Sequence, residues 1–282
     1  MFSWICPLCA NSLHPSTTAW RCDQGHNFDR AKSGYTNLLP AQHKSSREPG
    51  DSKAMLLARR DFLNAGHYNP VVNGITATIA DLPLSSDGNG PHQLLDCGCG
   101  EGYYLQQLGN ELALNWEFAG VDISKSAVEL AAKRKQPKAT WACASSLRLP
   151  LANACIDVAL RIFSPENNDE LKRVLRKEGY MIVVTPADNH LIEIKSALYA
   201  DLKPYSKVTT PDGFGLVGQR TVEQTVNLDT NESIVQLMSM TPFLWNGRRE
   251  ARDQLLQQNA LSVTLHVLVS CYQLIGRNGN KL

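Results

Sequence analysis

Two constellations in this chain of 282 residues carry residue types that could do chemistry. The first is Cys6-Pro7-Leu8-Cys9, twelve further residues, then Cys22-Asp23-Gln24-Gly25-His26, a C-x2-C-x12-C-x3-H spacing. Zinc takes four thiolate or imidazole donors in a tetrahedron, and two short turns can present them from opposite sides. The expectation is a closed structural Zn2+ site built by Cys6, Cys9, Cys22 and His26, which shapes the fold and leaves no open position for catalysis. A redox pair at Cys6 and Cys9 is the weaker reading, because no βαβ pattern surrounds it. His14 lies between the pairs at a spacing wrong for a knuckle and reads as surface. Trp20 and Phe28 flank the second pair and offer apolar packing to a segment too short to fold on a core of its own.

The second constellation is Asp96-Cys97-Gly98-Cys99-Gly100-Glu101-Gly102, a D-x-G-x-G-x-G stretch between an apolar strand and a helix that begins near Tyr103. Glycines there let the backbone turn sharply and pass close to a ligand. The dinucleotide fingerprint G-x-G-x-x-G is the nearest rival, but here the third glycine comes one residue early and an acid precedes the first. A pyrophosphate at that turn would meet a carboxylate, whereas a cationic ligand would be welcome. That favours S-adenosyl-L-methionine, which carries an ammonium and a positive sulfur. Asp122 ends the next strand, where a carboxylate can take both ribose hydroxyls, and Ala144-Ser145 follows the third strand, where an adenine edge would be met.

Strands alternating with helices must position these groups. Strands are predicted at 93–97, 116–122, 140–143, 156–163 and 179–186, and helices at 71–82, from Tyr103, at 124–135 and at 169–175. This order implies right-handed βαβ units and a parallel sheet. The predicted fold class is α/β, a Rossmann-like class I methyltransferase domain with a small N-terminal zinc-binding module. The division is 1–35 for the zinc module, 36–66 for a basic linker and a helix capped by Asp51 or Ser52, and 67–282 for the methyltransferase domain. Beyond residue 200 only a long final strand at 261–275 stands out.

The charge balance, 28 Lys+Arg against 27 Asp+Glu, excludes a chain-wide electrostatic grip on nucleic acid but not a local one. Residues 30–60 hold Arg30, Lys32, Lys44, Arg47, Lys53, Arg59 and Arg60 with His43, against Glu48, Asp51 and the adjoining Asp29. Read alone, that is a solvated linker as readily as an RNA contact. No apolar run reaches the roughly 20 residues of a membrane span, and the first residues do not look like a signal peptide. The expected location is the cytoplasm, where Cys97, Cys99, Cys143, Cys155 and Cys271 serve as packing.

The chain resembles the bacterial 23S rRNA (guanine-N1)-methyltransferases that act on hairpin 35, in the subgroup typical of Gram-negative bacteria. The resemblance rests on the zinc knuckle, Gly34-Tyr35-Thr36-Asn37-Leu38-Leu39-Pro40, Ala58-Arg59-Arg60, Ala65-Gly66-His67-Tyr68, the glycine loop through Tyr104, Ala144-Ser145-Ser146 and Met240-Thr241-Pro242-Phe243. It implies that the glycine loop, including Gly100 and Glu101, holds the cofactor with Asp122 at the ribose, which agrees with the cofactor contacts read above for Asp96, Gly98, Gly102 and Ser145. It further implies that Tyr68 and His190 line the methionine end, that the partner is a 23S rRNA hairpin, and that a homodimer is one arrangement. The chemistry would be direct displacement of the sulfonium methyl by guanine N1, with catalysis coming mostly from alignment. No residue is singled out as the catalytic base. The chain has no [DN]-P-P-[YFW] motif for exocyclic amines and no Pro-Cys pair for cytosine-C5 chemistry. Two readings stand beside this one: a methyltransferase for a small-molecule acceptor, and a non-catalytic zinc-dependent RNA-binding factor.

Overall fold

The computed structural model describes residues 2–43, 50–84, 90–112, 115–136, 138–202, 209–244 and 247–275. Lys44, Arg47 and Glu48 of the basic stretch lie outside the described residues, as does the side chain of His43. Three short strands open the chain: β1 (His14–Pro15), β2 (Ala19–Arg21) and β3 (Asn27–Asp29), paired antiparallel in that order. Then come β4 (Thr36–Asn37), α1 (Lys53–Asn64), α2 (Asn69–Ala80), β5 (His92–Cys97), α3 (Tyr103–Glu111), β6 (Trp116–Asp122), α4 (Lys125–Ala132), β7 (Ala139–Cys143), β8 (Ile156–Ile162), α5 (Asn168–Val174) and β9 (Leu175–Pro186). The chain continues through α6 (Ile192–Leu198), β10 (Phe214–Leu228), α7 (Asn231–Ser239), α8 (Arg249–Leu255) and β11 (Leu261–Leu274).

Local chemistry sets several of these boundaries. Ser52 caps α1 by accepting a hydrogen bond from Met55 N at 3.3 Å, and Gly66, at φ 84°, turns the chain just after its end. Ser124 caps α4 in the same way through Ala127 N. That helix stops at Ala132, short of the predicted Lys135, and Arg134 turns inward.

The large sheet runs β10-β11-β9-β8-β5-β6-β7-β4. Strands β9 through β4 are parallel, while β11 runs antiparallel to both β9 and β10. The order reverses between β8 and β5, and the carboxyl ends of strands at such a switch point open a crevice. Successive residues of a strand face opposite sides, so Leu94 joins one core and Leu95 the other. The first core takes α1 through Phe62 and Leu63, α2 through Val71 and Ile75, and α7 through Ile234 and Leu237. The second is closed by the N-terminal segment, whose Trp4, Cys6, Leu13, Trp20 and Cys22 pack with Val121, Ala142 and Leu151.

Backbone bonds fasten that segment as well. Ile5 N donates to Pro150 O at 3.0 Å, Ala152 N to Ser3 O at 3.0 Å, and β4 lies parallel to β7 at the sheet edge. The predicted strands and helices up to residue 186 are present, with β9 starting at Leu175 rather than 179. The C-terminal third holds α6, α7, α8 and the 15-residue β10, none of which stood out in the sequence. Among the described residues, no helix is long and apolar enough to cross a membrane.

Candidate cofactor cleft and metal centre

Two tight turns converge to make the metal centre. In the first, Ala10 N donates back to Cys6 O at 2.8 Å; in the second, Gly25 N donates to Cys22 O at 2.9 Å. Gly25 reaches φ 82°, which an L side chain rarely adopts. Cys9 Sγ lies 3.6 Å from Cys22 Sγ, and His26 Nδ1 lies 3.5 Å from Cys6 Sγ and 3.4 Å from Cys22 Sγ. All four donor atoms fall within 4.8 Å of one another. Zinc–sulfur bonds of about 2.3 Å and zinc–nitrogen bonds of about 2.0 Å give tetrahedral edges near 3.5–3.8 Å, so the cluster has the size and donor set of a Zn2+ site. Burial opposes ionisation of the Cys22 thiol, but backbone hydrogen bonds at His26 and Gln24 overcome it and bring the thiol down to about 7. His14 stays outside, exposed, and faces Asp23 at 3.5 Å.

The cleft opens at the carboxyl ends of β5, β6, β8 and β9 as a cavity of about 1220 Å3. Of the residues expected there, Tyr68, Gly98, Gly100, Glu101, Asp122, Ser145 and His190 border it. Asp96 and Gly102 do not. Gly102 is left-handed at φ 85°, and a Cβ on it would lie 2.8 Å from Ala131 Cβ, so it serves the close packing of the loop on α4. Gly98 is also left-handed, and a Cβ there would sit 2.8 Å from Ser164 Cβ. These two positions explain why the loop is glycine-rich.

Asp96 lies beneath the loop, 1% exposed, and neither of its oxygens has a hydrogen-bond partner among the described residues. Burial, then the neighbouring Asp122 carboxylate, pushes it up to about 8. Two buried acceptors without donors suit a cationic ligand. Asp122 accepts from Gly100 N at 2.9 Å and Ser124 N at 2.8 Å, which fixes the loop against the end of β6. Its own burial raises it, and those two bonds pull it back.

Glu101 turns to Arg134, whose Nε donates to its Oε2 at 2.7 Å and to its carbonyl at 2.9 Å. Arg134 also donates to Asn64 Oδ1 at 3.1 Å, so this pair ties the loop to the end of α1. Ser145 Oγ accepts from Leu147 N at 3.2 Å beyond β7.

Tyr68, Phe163 and His190 form an aromatic group on the far wall. The His190 ring lies 6.4 Å from Tyr68, edge to face, and 6.0 Å from Phe163, nearly parallel. Its Nδ1 accepts from His266 N at 3.3 Å, which leaves the proton of the neutral ring on Nε2. Burial first, then the charge of Lys195, lowers His190 to about 4, so the ring is neutral at pH 7.

Arg59, Phe163 and Lys195 border the cavity without having been singled out as cleft residues from the sequence. In the sequence Arg59 belongs to the basic stretch and to the Ala58-Arg59-Arg60 motif of the resemblance, with no role at the cofactor assigned to it. Its guanidinium pairs with Asp51 at 2.5 Å, donates to Met240 O at 3.4 Å and stands over Gly100, 3.8 Å from where a Cβ would be. The fold thus sets an arginine, paired with Asp51, over the loop that ends against Asp122, so charges of both signs are at hand for the carboxylate and ammonium of a methionine. A glycine cradle, the orphaned oxygens of Asp96 beneath that loop and paired charges of both signs make the cleft fit S-adenosyl-L-methionine.

Residues 4–47 match the RlmA N-terminal zinc-ribbon family, and residues 92–227 match a methyltransferase domain family. A Streptomyces fradiae protein named 23S rRNA (guanine(748)-N1)-methyltransferase is 33% identical, the match covering 93% of this chain and 95% of that one. A Micromonospora griseorubida protein, provisionally named 23S rRNA (guanine-N1)-methyltransferase, is also 33% identical over 95% and 96%. A Bacillus subtilis (strain 168) protein under the same provisional name is 30% identical over 93% and 94%. With both constellations in place and this likeness running nearly end to end, the chain belongs to the 23S rRNA (guanine-N1)-methyltransferase family.

Proposed function

We propose that this enzyme transfers the methyl of S-adenosyl-L-methionine to N1 of one guanine in hairpin 35 of 23S rRNA, as in the Gram-negative-type subgroup, in the cytoplasm. The carrying observation is the acid-led glycine loop with an unpartnered Asp96, in a chain that also carries the Cys3His cluster and matches rRNA methyltransferases nearly end to end. The cofactor supplies an electrophilic methyl on a positive sulfur. In this reading Asp96 and Asp122 favour its ammonium and ribose, Arg59 its carboxylate, and Ser145 the adenine edge. Tyr68 and neutral His190 shield the sulfonium end from water.

The acceptor must reach that wall with N1 in line with the methyl, and a base in a hairpin has to leave its stack to do so. The zinc segment and the exposed basic residues Lys32 and Lys53 grip the hairpin by shape and phosphate. The reading extends to a homodimer, for which β10 at the sheet edge offers its outer backbone groups. Sedimentation of the purified protein checks that point.

The central test is a primer-extension map of 23S rRNA from cells with and without the protein. An N1 methyl blocks pairing, so the expected result is a stop at one hairpin 35 guanine that disappears when the protein is absent. A hairpin with the same stops in both strains would remove the reading.

A further inference from the structure

Phe163 is held in an unusual state at the end of β8. Its φ is 49°, a left-handed conformation that a bulky side chain adopts only when its surroundings force it. Those surroundings are tied on both sides: Phe163 N donates to Val184 O at 3.1 Å, and Ser164 Oγ donates to Cys97 O at 2.8 Å beneath the glycine loop. The enforced turn leaves the ring 43% exposed on the cavity wall. His190 lies nearly parallel to it at 21°, and Tyr68 stands edge-on at 6.3 Å. A strained backbone that exposes an aromatic ring costs stability, and its neighbours hold the ring rather than cover it.

Position and room say what the ring is for. The adenine edge is expected beyond β7, three strands from β8 in the order β8-β5-β6-β7. At about 4.8 Å per strand that is roughly 14 Å away, so Phe163 stands on the acceptor side. The cavity, about 1220 Å3, exceeds the roughly 300–1,000 Å3 usual for one small ligand and has room for a second reactant.

We propose that the Phe163 ring is the platform on which the target guanine stacks when it is turned out of the RNA. The inference rests on the function proposed above and adds its acceptor subsite. Every base has a flat π face, and stacking on an aromatic side chain holds it without reading its edge, which leaves N1 free to face the methyl.

The test uses the full-length protein, S-adenosyl-L-methionine and unmodified 23S rRNA. Phe163→Leu keeps the apolar character and the same backbone demand but removes the π face. It should lower kcat/KM for RNA by about 5- to 150-fold, with the cofactor Kd within threefold of wild type by calorimetry. Phe163→Tyr, which keeps the face, should stay within threefold in both. The subsite is overturned if Phe163→Leu loses less than fivefold, if cofactor affinity falls in step with transfer, or if Phe163→Tyr fails as badly as Phe163→Leu. A wild-type protein that transfers nothing to the rRNA overturns the proposed function and the subsite together. A normal wild type with an unaffected Phe163→Leu overturns the subsite alone.

Discussion

The metal centre and the cofactor cleft are built by opposite strategies. The centre draws four ligands from 21 consecutive residues, Cys6 to His26, folded into two turns. The cleft draws its wall from α1, the glycine loop, the end of β8, the segment after β9 and the residues after α7, a span from Gly50 to Phe243. One site is closed and the other open. A closed local site can be read from spacing, because the metal dictates the spacing. An open site assembled by a fold can be read only where the backbone is under constraint.

The two sites nevertheless share a core, and the largest expected effect tests that link. Cys6 and Cys22 pack in the same apolar cluster as Val121 and Ala144, which immediately precede Asp122 and Ser145 in sequence. From spacing alone, Cys6→Ser should harm RNA methylation far more than cofactor affinity, because the ligands lie outside the cofactor loop. The shared core changes that expectation. Losing the metal removes folding energy from the layer that covers one face of the sheet. We expect Cys6→Ser, or chelation of the metal, to lower the melting temperature by about 10 °C and to weaken cofactor binding along with methylation. Zinc content, thermal unfolding and calorimetry on one preparation decide it. Full cofactor affinity in zinc-free protein would mean that the two sites are energetically separate.

The next effect is confined to the cleft. Asp96→Asn keeps the shape and removes the charge. Removing one partner of a buried ion pair costs about 3–5 kcal/mol, so cofactor affinity should fall by more than about a hundredfold. At pH 7 the cofactor-free variant should melt no lower than wild type, because the fold must keep a buried, unpartnered Asp96 protonated where the unfolded chain ionises it, and an asparagine carries no such cost. Lower affinity with an equal or higher melting temperature is the signature of a functional group. Loss of both would make Asp96 a structural residue like its zinc-side counterparts.

Legibility followed the same division. Cys6, Cys9, Cys22 and His26 were visible because two turns and a metal allow few spacings. Gly98 and Gly102 are visible because a left-handed loop in which a Cβ would come within 2.8 Å of Ser164 and Ala131 requires glycine, and Asp96 is visible as the acid that leads them. Strands β5 through β9 were legible as apolar runs bounded by turns. β10 was not, because most of its residues are exposed and no face alternates. Arg59 and Phe163 look like an ordinary helix cation and a strand-end apolar residue. Their roles come from tertiary placement, over Gly100 and against His190, which no local pattern encodes. Glu101 shows the converse: its motif position was clear, but its carboxylate faces Arg134.

A smaller effect is expected at Arg59, which is partly exposed and already paired with Asp51. Arg59→Gln should weaken S-adenosyl-L-methionine by about tenfold, the scale of one charge-assisted hydrogen bond. A cofactor analogue without the carboxylate should bind wild type and variant alike. If the analogue loses as much as the parent, the guanidinium acts through α1 and Met240 rather than on the ligand.

The finest distinction between the two sites is protonic. Burial, then the Asp122 carboxylate, raises Asp96 from 3.8 to about 8, so the cofactor-free fold holds a proton on it at pH 7. The unfolded carboxyl is ionised there, so the folded state binds more protons between those values. Asp96 therefore contributes stability that is full below about pH 4 and is lost as pH climbs through 8. A cofactor ammonium favours the ionised form, so binding at pH 7 should expel about one proton. Binding enthalpies measured in buffers of different ionisation heat should fall on a line with that slope, and Asp96→Asn should flatten both the line and the acid-side stability gain. A zero slope in the wild type would mean that the ammonium does not meet Asp96, and the orphaned oxygens would then need another partner.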